Sequence, residues 1–488
     1  MFTCKDLCLQ CIKKVGVRHC IAKYTENKLI NSMNFQNYTV STFRNLSIIP
    51  DGNFIKDISM DSYKPKHHPG RMDNKVITLP DTFLKAVLKA LEDYPIKAVV
   101  ESGNKLTRHL KGRHPLMEKD VFQLTVNKIQ NNLHQRHENI VLKDKVDEQK
   151  FEKMINDKLY NILKKKVYNW KPIKYDIYTS LAYLLGRAPA EYAVLTKIFS
   201  EIVNRDKEFT PKSLFDFGSG VGTVTWAANT FWKKHIFEYF NVDVSADIND
   251  LAQILLQGGK GTGNIVKGTF YRQFLPATNT KYDLVVSSYS LMELPSAESR
   301  LEAVLNLWNK TDQYLVIVEQ GTNAGFKVIN EARDFILGVD KESNKSHVFS
   351  PCPHDSMCPR FLANDGTPCN FSVRYWTMPI GSKPQLLTEK YSYVVLKKGL
   401  RNNDVKWPRI VRAPLVRPRH TICRMCTANG QLREATLTLR KHGKTIYHCV
   451  RSSKWGDLLP VTLEDEKSAA VPENSDTRDS NNIDMKKN

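Results

Sequence analysis

Ser350-Pro351-Cys352-Pro353-His354-Asp355-Ser356-Met357-Cys358-Pro359 is the stretch of this chain richest in chemistry. Cys369 follows eleven positions after Cys358, and Cys423-Arg424-Met425-Cys426 lies further on. Thiolates are soft ligands that select zinc, copper(I) or iron–sulfur clusters. Three loop cysteines and one distant cysteine can meet at a single centre once the chain folds back. Proline after Cys352 and Cys358 stiffens the loop, and Cys-Pro recurs in iron–sulfur ligand runs. Structural zinc sites use tighter paired spacings, normally two CxxC knuckles. This region holds one such pair, so the spacing favours a cluster. Cys423 and Cys426 compete for the fourth place. His354 and His420 are alternative zinc ligands, although a lone histidine is more often a surface or hydrogen-bonding residue. The plainest alternative is four buried structural thiols.

A second chemical motif is Asp216-Phe217-Gly218-Ser219-Gly220-Val221-Gly222. Glycine permits positive φ and lets a ligand approach the backbone closely. An apolar strand before the turn and a helix after it make the nucleotide-binding corner of a doubly wound sheet. Asp243 ends the next strand, roughly twenty residues beyond the turn, where an acid grips ribose hydroxyls. An acid opening the glycine run resembles the S-adenosylmethionine methyltransferase motif more than the dinucleotide one. The expected cofactor contacts are therefore Asp216, Gly218, Ser219, Gly220, Gly222 and Asp243. The catalytic corner is less complete. Enzymes that methylate a base amine carry Asn/Asp-Pro-Pro-aromatic after the fourth strand, and here Ser287-Ser288-Tyr289-Ser290-Leu291-Met292-Glu293 stands in its place. A carbon-5 cytosine enzyme needs a cysteine nucleophile near this edge, and none lies between Cys20 and Cys352. Lys267-Gly268-Thr269, read as following the third strand, lacks an acid for the adenine edge. Glu293 is a candidate base, with a surface or capping role favoured. No catalytic residue is assigned, and the null case is an α/β sheet with an empty pocket.

These residues need a scaffold. Ser213 to Phe217, Tyr239 to Val242, Tyr282 to Ser287 and Tyr314 to Glu319 read as buried strands, and Phe371 to Trp376 with Tyr391 to Lys397 as an antiparallel pair closing the sheet. Residues 206–345 form this Rossmann core, completed by about 370–400. Ahead of it, residues 70–205 read as a helical domain. Pro80 opens one helix with Phe83, Leu84, Val87, Leu88 and Leu91 on a stripe. Asp147 to Lys166 forms a second, whose other face carries Lys153, Lys158, Lys164, Lys165 and Lys166. A third follows Pro189.

Residues 346–460 read as a cysteine-rich, basic extension. Lys397, Lys398, Arg401, Lys406, Arg409, Arg412, Arg417, Arg419 and Arg424 are interleaved with Trp407 and three prolines, which suits RNA phosphate contacts and base stacking. Glu434 to Val450 reads as a hairpin with Cys449 in its second strand. The tail, 461–488, reads as disordered. At the other end, residues 1–69 read as a transit peptide and a polar linker. Within residues 1–28, Lys5, Lys13, Lys14, Arg18, Lys23 and Lys28 are opposed only by Asp6 and Glu26. The rival reading is a zinc site on Cys4, Cys8, Cys11 and Cys20.

The chain has 488 residues and a net charge of +21, more than solubility needs, and nucleic acid is the first partner to suspect. No apolar run approaches the eighteen or so residues of a membrane span. More than three hundred residues without cysteine argue against a secreted disulfide framework and for a reduced compartment.

Five segments in one order carry a resemblance: Asp216-Phe-Gly-Ser-Gly, Ser290-Leu-Met-Glu-Leu-Pro-Ser, His347 through Pro359, Trp407-Pro-Arg-Ile, and Trp455-Gly-Asp-Leu-Leu-Pro. Together they resemble the mitochondrial methyltransferase-like assembly factors of the small ribosomal subunit, from about Pro172 to Pro460. The resemblance implies a matrix protein that binds small-subunit rRNA and ribosomal proteins during assembly. It implies a 4Fe–4S cluster on Cys352, Cys358, Cys369 and Cys426. It also implies a methyltransferase fold that binds S-adenosylmethionine with little or no activity, the alternative being an active rRNA methyltransferase.

Overall fold

The computed structural model describes residues 46–465, apart from 73–74, 138–144, 167–169, 262, 264, 277, 279, 341–345 and 402–405. The transit-peptide expectation and the four N-terminal cysteines lie outside these residues. In chain order the strands are β1 (Leu46–Pro50), β2 (Ser213–Phe217), β3 (Glu238–Val242), β4 (Thr269–Arg272), β5 (Tyr282–Ser288), β6 (Thr311–Gln320) and β7 (Ser346–Ser350). They continue with β8 (Phe371–Trp376), β9 (Leu386–Lys398), β10 (Arg409–Ile410), β11 (Leu415–Val416), β12 (His420–Cys426), β13 (Leu432–Thr438) and β14 (Val461–Asp465). The helices are α1 (Gly52–Ser59), α2 (Asp81–Ala90), α3 (Ile96–Lys111), α4 (Lys119–Arg136), α5 (Lys145–Lys166) and α6 (Ile177–Arg205). Then come α7 (Thr223–Trp232), α8 (Ala246–Leu256), α9 (Ala297–Lys310), α10 (Asn323–Val339), α11 (Pro359–Ala363) and α12 (Leu439–Ser452).

The main sheet runs β4-β3-β2-β5-β6-β9-β7, with β8 also paired to β9. β2 to β6 are parallel, and β9 enters antiparallel between β6 and β7. This is the methyltransferase-like Rossmann sheet that the glycine corner predicts. Its central strands read as unbroken apolar runs, Leu284-Val285-Val286 and Leu315-Val316-Ile317-Val318, because helices cover both faces. β7 is a strand that no clear alternation announces.

One face packs against α2, α3, α6, α7 and α8, and the other against α9 and α10. Phe83, Val87, Val99 and the interior of α6 share one core with Leu214, Val286 and Val316. Segment 70–205 is thus helical but mostly closes on the sheet. Only α4 and α5 keep a small core of their own, around Ile129, Leu133 and Ile155. Pro189 does not open a helix. It lies buried inside α6, whose twenty-nine residues run straight through it. An interior proline costs about 3 kcal/mol, and the buried face of α6 outweighs that. Gly103 and Gly186 let α3 and α6 meet at backbone distance: a Cβ on either would come within 2.6 Å of a carbonyl oxygen on the other helix. That crossing brings the end of α3 to the mouth of the sheet.

Three expectations near the chain ends are corrected. Residues 46–69 are not linker: β1 pairs antiparallel with β14 from Leu46↔Asp465 to Pro50↔Val461, and Phe54 of α1 is buried against the C-terminal extension. For the same reason residues 461–465 are ordered strand. Glu434 to Val450 is not a hairpin: β13 ends at Thr438, whose side chain caps α12 by accepting from the Lys441 amide. Ile446, Cys449 and Val450 recur at three- and four-residue steps, a helical period that also fits loose alternation. Cys449 is core, but on a helix.

Candidate metal centre and cofactor corner

Cys352, Cys358, Cys369 and Cys426 line one cavity. Four separate elements deliver them. Cys352 follows β7. Cys358 caps α11, with the Arg360 and Phe361 amides facing its sulfur. Cys369 precedes β8, and its carbonyl accepts from Ser392 Oγ at 2.8 Å. Cys426 ends β12, opposite Arg409 of β10. Cys423 does not join them. Successive strand residues point to opposite faces. Thr421, Cys423 and Met425 turn into the core of the extension, and Cys426 lies on the other face. The CxxC pair is therefore split across a strand. His420 sits at the far end of β12 from Cys426.

Three arginines that no spacing reveals fix the loops around this cavity. Arg333 of α10 donates to the carbonyls of His354 (3.1 Å) and Ser356 (2.6 Å). Buried Arg409 donates to Pro351 O at 2.9 Å, Gly456 O at 2.7 Å and Glu201 Oε1 at 2.5 Å. Arg412 donates to Pro368 O at 2.9 Å and lies over the Trp455 ring. His354 Nε2 lies 3.3 Å from Cys426 Sγ, while Nδ1 lies 3.1 Å from Ser356 O. Burial pushes the Cys358 thiol up to about 12 and raises Cys369 and Cys426 as well, with repulsion between the neighbouring thiolates adding to it. Binding a metal must displace those protons. Among the described residues, no three His, Cys, Asp or Glu side chains are grouped to clasp a single ion. The four sulfurs share one cavity, lined also by Arg360, Arg409 and Arg412, so soft thiolate donors stand beside cations there.

At the glycine corner, the Gly218 and Ser219 amides donate to Val242 O at 2.8 and 3.0 Å. The Gly220 amide donates to Asp243 Oδ2, and the Ser245 amide to Asp243 Oδ1, each at 3.0 Å. Gly218 must be glycine: its φ is +69°, and a Cβ would lie 2.3 Å from Ser290 Oγ. Gly222 caps α7 with φ +78°. Asp216 is wholly buried with neither oxygen partnered in the protein, and the Ser219 and Ser288 hydroxyls are likewise unpartnered. Burial, then the charge of Asp243, pushes the Asp216 carboxyl well above its ordinary range. An orphaned, desolvated carboxyl beside a positive-φ turn fits a cofactor that carries a cationic centre and hydroxyls. The third strand is β4, so Lys267 and Gly268 precede it, and the adenine-edge reading was one strand end off. The segments beyond paired Val242 and Arg272 instead present Val244 and Phe274, 77% and 76% exposed.

The acceptor side is crowded. Arg113 pairs with Glu293 at 2.8 Å and lies over the Trp170 ring. Trp170 Nε1 donates to Met292 O at 3.2 Å. Tyr289, at the end of β5, holds φ at +58° with its ring under Arg187. Arg187 is in turn paired with Glu389 (2.9 Å) and Glu191 (3.3 Å). A cavity of about 30 Å³ is lined here by Arg113, Arg187, Tyr289 and Glu293, together with Tyr183. Glu293 is half-buried and paired with Arg113, and burial raises its carboxyl above the ordinary range.

The family model for mitochondrial small ribosomal subunit Rsm22 matches residues 177–460, which hold both sites. The chain belongs to this family. It is 37% identical over 402 residues to human mitochondrial ribosome assembly protein METTL17, covering 81% of this chain and 86% of that one. It is 24% identical over 291 residues to the mitochondrial ribosome assembly protein RSM22 of Saccharomyces cerevisiae, covering 39% and 46%. Among solved structures, a SAM-dependent methyltransferase of Aquifex aeolicus gives a TM-score of 0.28 at 10% identity, over 46% of this chain and 99% of that one, a likeness too weak to bear on function.

The basic stretch of this Rsm22-family chain is mostly committed internally. Lys397 pairs with Asp206 at 2.7 Å, Arg401 with Asp355 at 2.8 Å, and Arg424 with Glu434. Lys398 lies over Trp308, while Arg409 and Arg412 pin the cysteine loops. Trp407 is buried, with Phe54 edge-on against its ring. Of the nine cations in that stretch, Lys406, Arg417 and Arg419 are exposed and have no acidic partner among the described residues.

Proposed function

We propose that this protein is a mitochondrial assembly factor of the small ribosomal subunit that binds rRNA in the matrix and supports translation. The methyltransferase fold holds S-adenosylmethionine without turnover, and Cys352, Cys358, Cys369 and Cys426 hold a 4Fe–4S cluster. The observation that carries the non-catalytic reading is the sealed acceptor side. Arg113, Glu293 and Trp170 close on one another where a base would have to enter. For the cofactor, the positive-φ Gly218-to-Gly222 turn lets the backbone approach closely, Asp243 would hold the ribose, and Val244 and Phe274 would flank the adenine. Asp216 offsets positive charge. Bound cofactor would supply an electrophilic methyl group, and Glu293, the candidate base, is paired with Arg113.

The four thiolates cross-link the loop after β7, α11, the lead into β8 and the end of β12. A 4Fe–4S cluster gives each cysteine its own iron and adds redox-active iron to that staple. Arg333 and Arg412 offset its negative charge.

The test is methylation of isolated small-subunit precursors with labelled cofactor, comparing the native chain with Gly220→Arg. No dependent rRNA methyl group is expected, and a correctly folded Gly220→Arg protein should still support small-subunit accumulation. A specific rRNA methyl group lost in that variant while subunit levels stay normal would refute the inactive reading in favour of an rRNA methyltransferase.

A further inference from the structure

Residues 415–451 contain eight Lys or Arg and one acid, Glu434, which Arg424 already occupies. The fold gathers five of these cations in one place. Arg417 and Arg419 lie on a tight turn, closed by the Arg417 amide donating to His420 O at 2.9 Å. His420 pairs with Thr438, so this turn sits beside the start of α12, where Arg440, Lys441 and Lys444 project. The two pieces are fixed to each other. Tyr447 Oη donates to Pro418 O at 3.3 Å, and Arg451 Nη1 donates to Arg417 O at 2.7 Å. Gly443, with φ +76°, breaks the helix between Lys441 and Lys444 and turns the chain there. All five side chains are exposed, and none has an acidic partner among the described residues. Leu415, Val416 and Leu439 stand exposed beside them.

Like charges held this close repel one another, and a fold that leaves them unpaired leaves a site for a polyanion. We infer that the Arg417–Arg419 turn and the first turns of α12 form one rigid platform that binds RNA backbone phosphates, with the three aliphatic side chains lying against sugar or base faces. This rests on the reading that the protein binds rRNA, and it moves the contact away from the Lys397–Arg412 segment. An anionic membrane would also attract cations. However, α12 turns Ile446, Cys449 and Val450 into the core, and the exposed Leu415, Val416 and Leu439 are too small an apolar face to insert.

The full chain would be titrated with transcribed small-subunit rRNA at several salt concentrations. Each phosphate contact on a single strand contributes about 0.7 to the slope of log K against log salt. Reversing Arg417, Arg419, Lys441 and Lys444 to Glu should cut affinity at least tenfold and lower the slope by about 2 to 3. An equal number of reversals on α4 and α5 (Lys128, Lys150, Lys153 and Lys164) should change little. Melting curves on both variants exclude unfolding. Unchanged affinity in the first variant, with native binding intact, would overturn the platform alone. Absence of salt-dependent binding by the native chain would overturn the RNA reading with it. Loss of binding to phosphatidylglycerol vesicles, with RNA binding intact, would assign the surface to membrane instead.

Discussion

The glycine corner and the cysteine cavity are built in opposite ways. The corner is nearly contiguous: Asp216 to Gly222 form one strand-turn-helix, and only Asp243 comes from the next strand. The cavity draws its four cysteines from four places spread over seventy-five positions, Cys352 to Cys426, and needs Arg333, Arg409 and Arg412 to hold them. A local motif can stay intact whatever surrounds it. Here the turn is whole, while Arg113, Trp170 and Glu293 pack on one another beyond the end of β5. A distributed site has no such independence, because losing one loop loses the whole. The cavity should therefore respond to mutation as a unit, and the corner piece by piece.

The largest effect is expected at the cavity. Anaerobically purified protein should be brown, with iron and sulfide in equal amounts. Cys358→Ser should bleach it and make the C-terminal half protease-sensitive, because the loop after β7, β8 and β12 lose their common tie. Colourless protein holding stoichiometric zinc would end the cluster proposal.

A sharper cut compares the two cysteines of the CxxC. Cys426→Ser should bleach as fully as Cys358→Ser. Cys423→Ser should keep its iron and lose only about 1–3 kcal/mol, the cost of placing a hydroxyl in an apolar core. If Cys423→Ser bleaches more, the face assignment of β12 is wrong.

At the corner, substitutions should separate. Gly218→Ala meets Ser290 and a positive φ together, so it should lower Tm and weaken cofactor binding at once. Gly220→Arg shares the positive φ, at +50°, but has more room, its Cβ standing 3.7 Å from the Tyr183 ring. It should abolish the thermal stabilisation given by added S-adenosylmethionine while costing less in intrinsic Tm. Identical Tm losses in both variants would show that the corner, too, behaves as one unit.

Legibility followed the same division. The strand-turn-helix, the antiparallel closing strands and the three loop cysteines are readable because each is local. The choice of Cys426 over Cys423 rests on the family resemblance alone; only the structure shows Thr421, Cys423 and Met425 as the inward set of β12. What spacing does not carry is who neutralises whom. Lys397, Arg401 and Arg409 look alike in a basic run, and only the fold gives them Asp206, Asp355 and Glu201. The hairpin reading of Glu434 to Val450 failed because Ile446, Cys449 and Val450 fit two periods. Pro189 misled because a local penalty was overruled by burial.

The smallest predicted effect tests how dry the closed mouth is. Glu319 ends β6 beneath it, fully buried, and accepts from the Met292 amide at 3.1 Å. Burial pushes its carboxyl up to about 8. The folded protein then keeps a proton that the unfolded chain releases near its ordinary pKa of 4.5. In that window the unfolded state binds fewer protons, so stability falls as pH rises. This contribution is flat below the unfolded pKa and fully lost above the folded one. His68 and His354, lowered to about 3 and 4 by burial, act in the opposite sense at the acid end, so the native curve is a sum. Glu319→Gln mimics the protonated carboxyl and removes only its own part. Between about pH 5 and 8 the variant should therefore lose less Tm than the native chain, by a few degrees, with the two curves meeting near pH 5. Parallel curves across that range would mean that water reaches Glu319, and that the mouth beside the glycine corner is open.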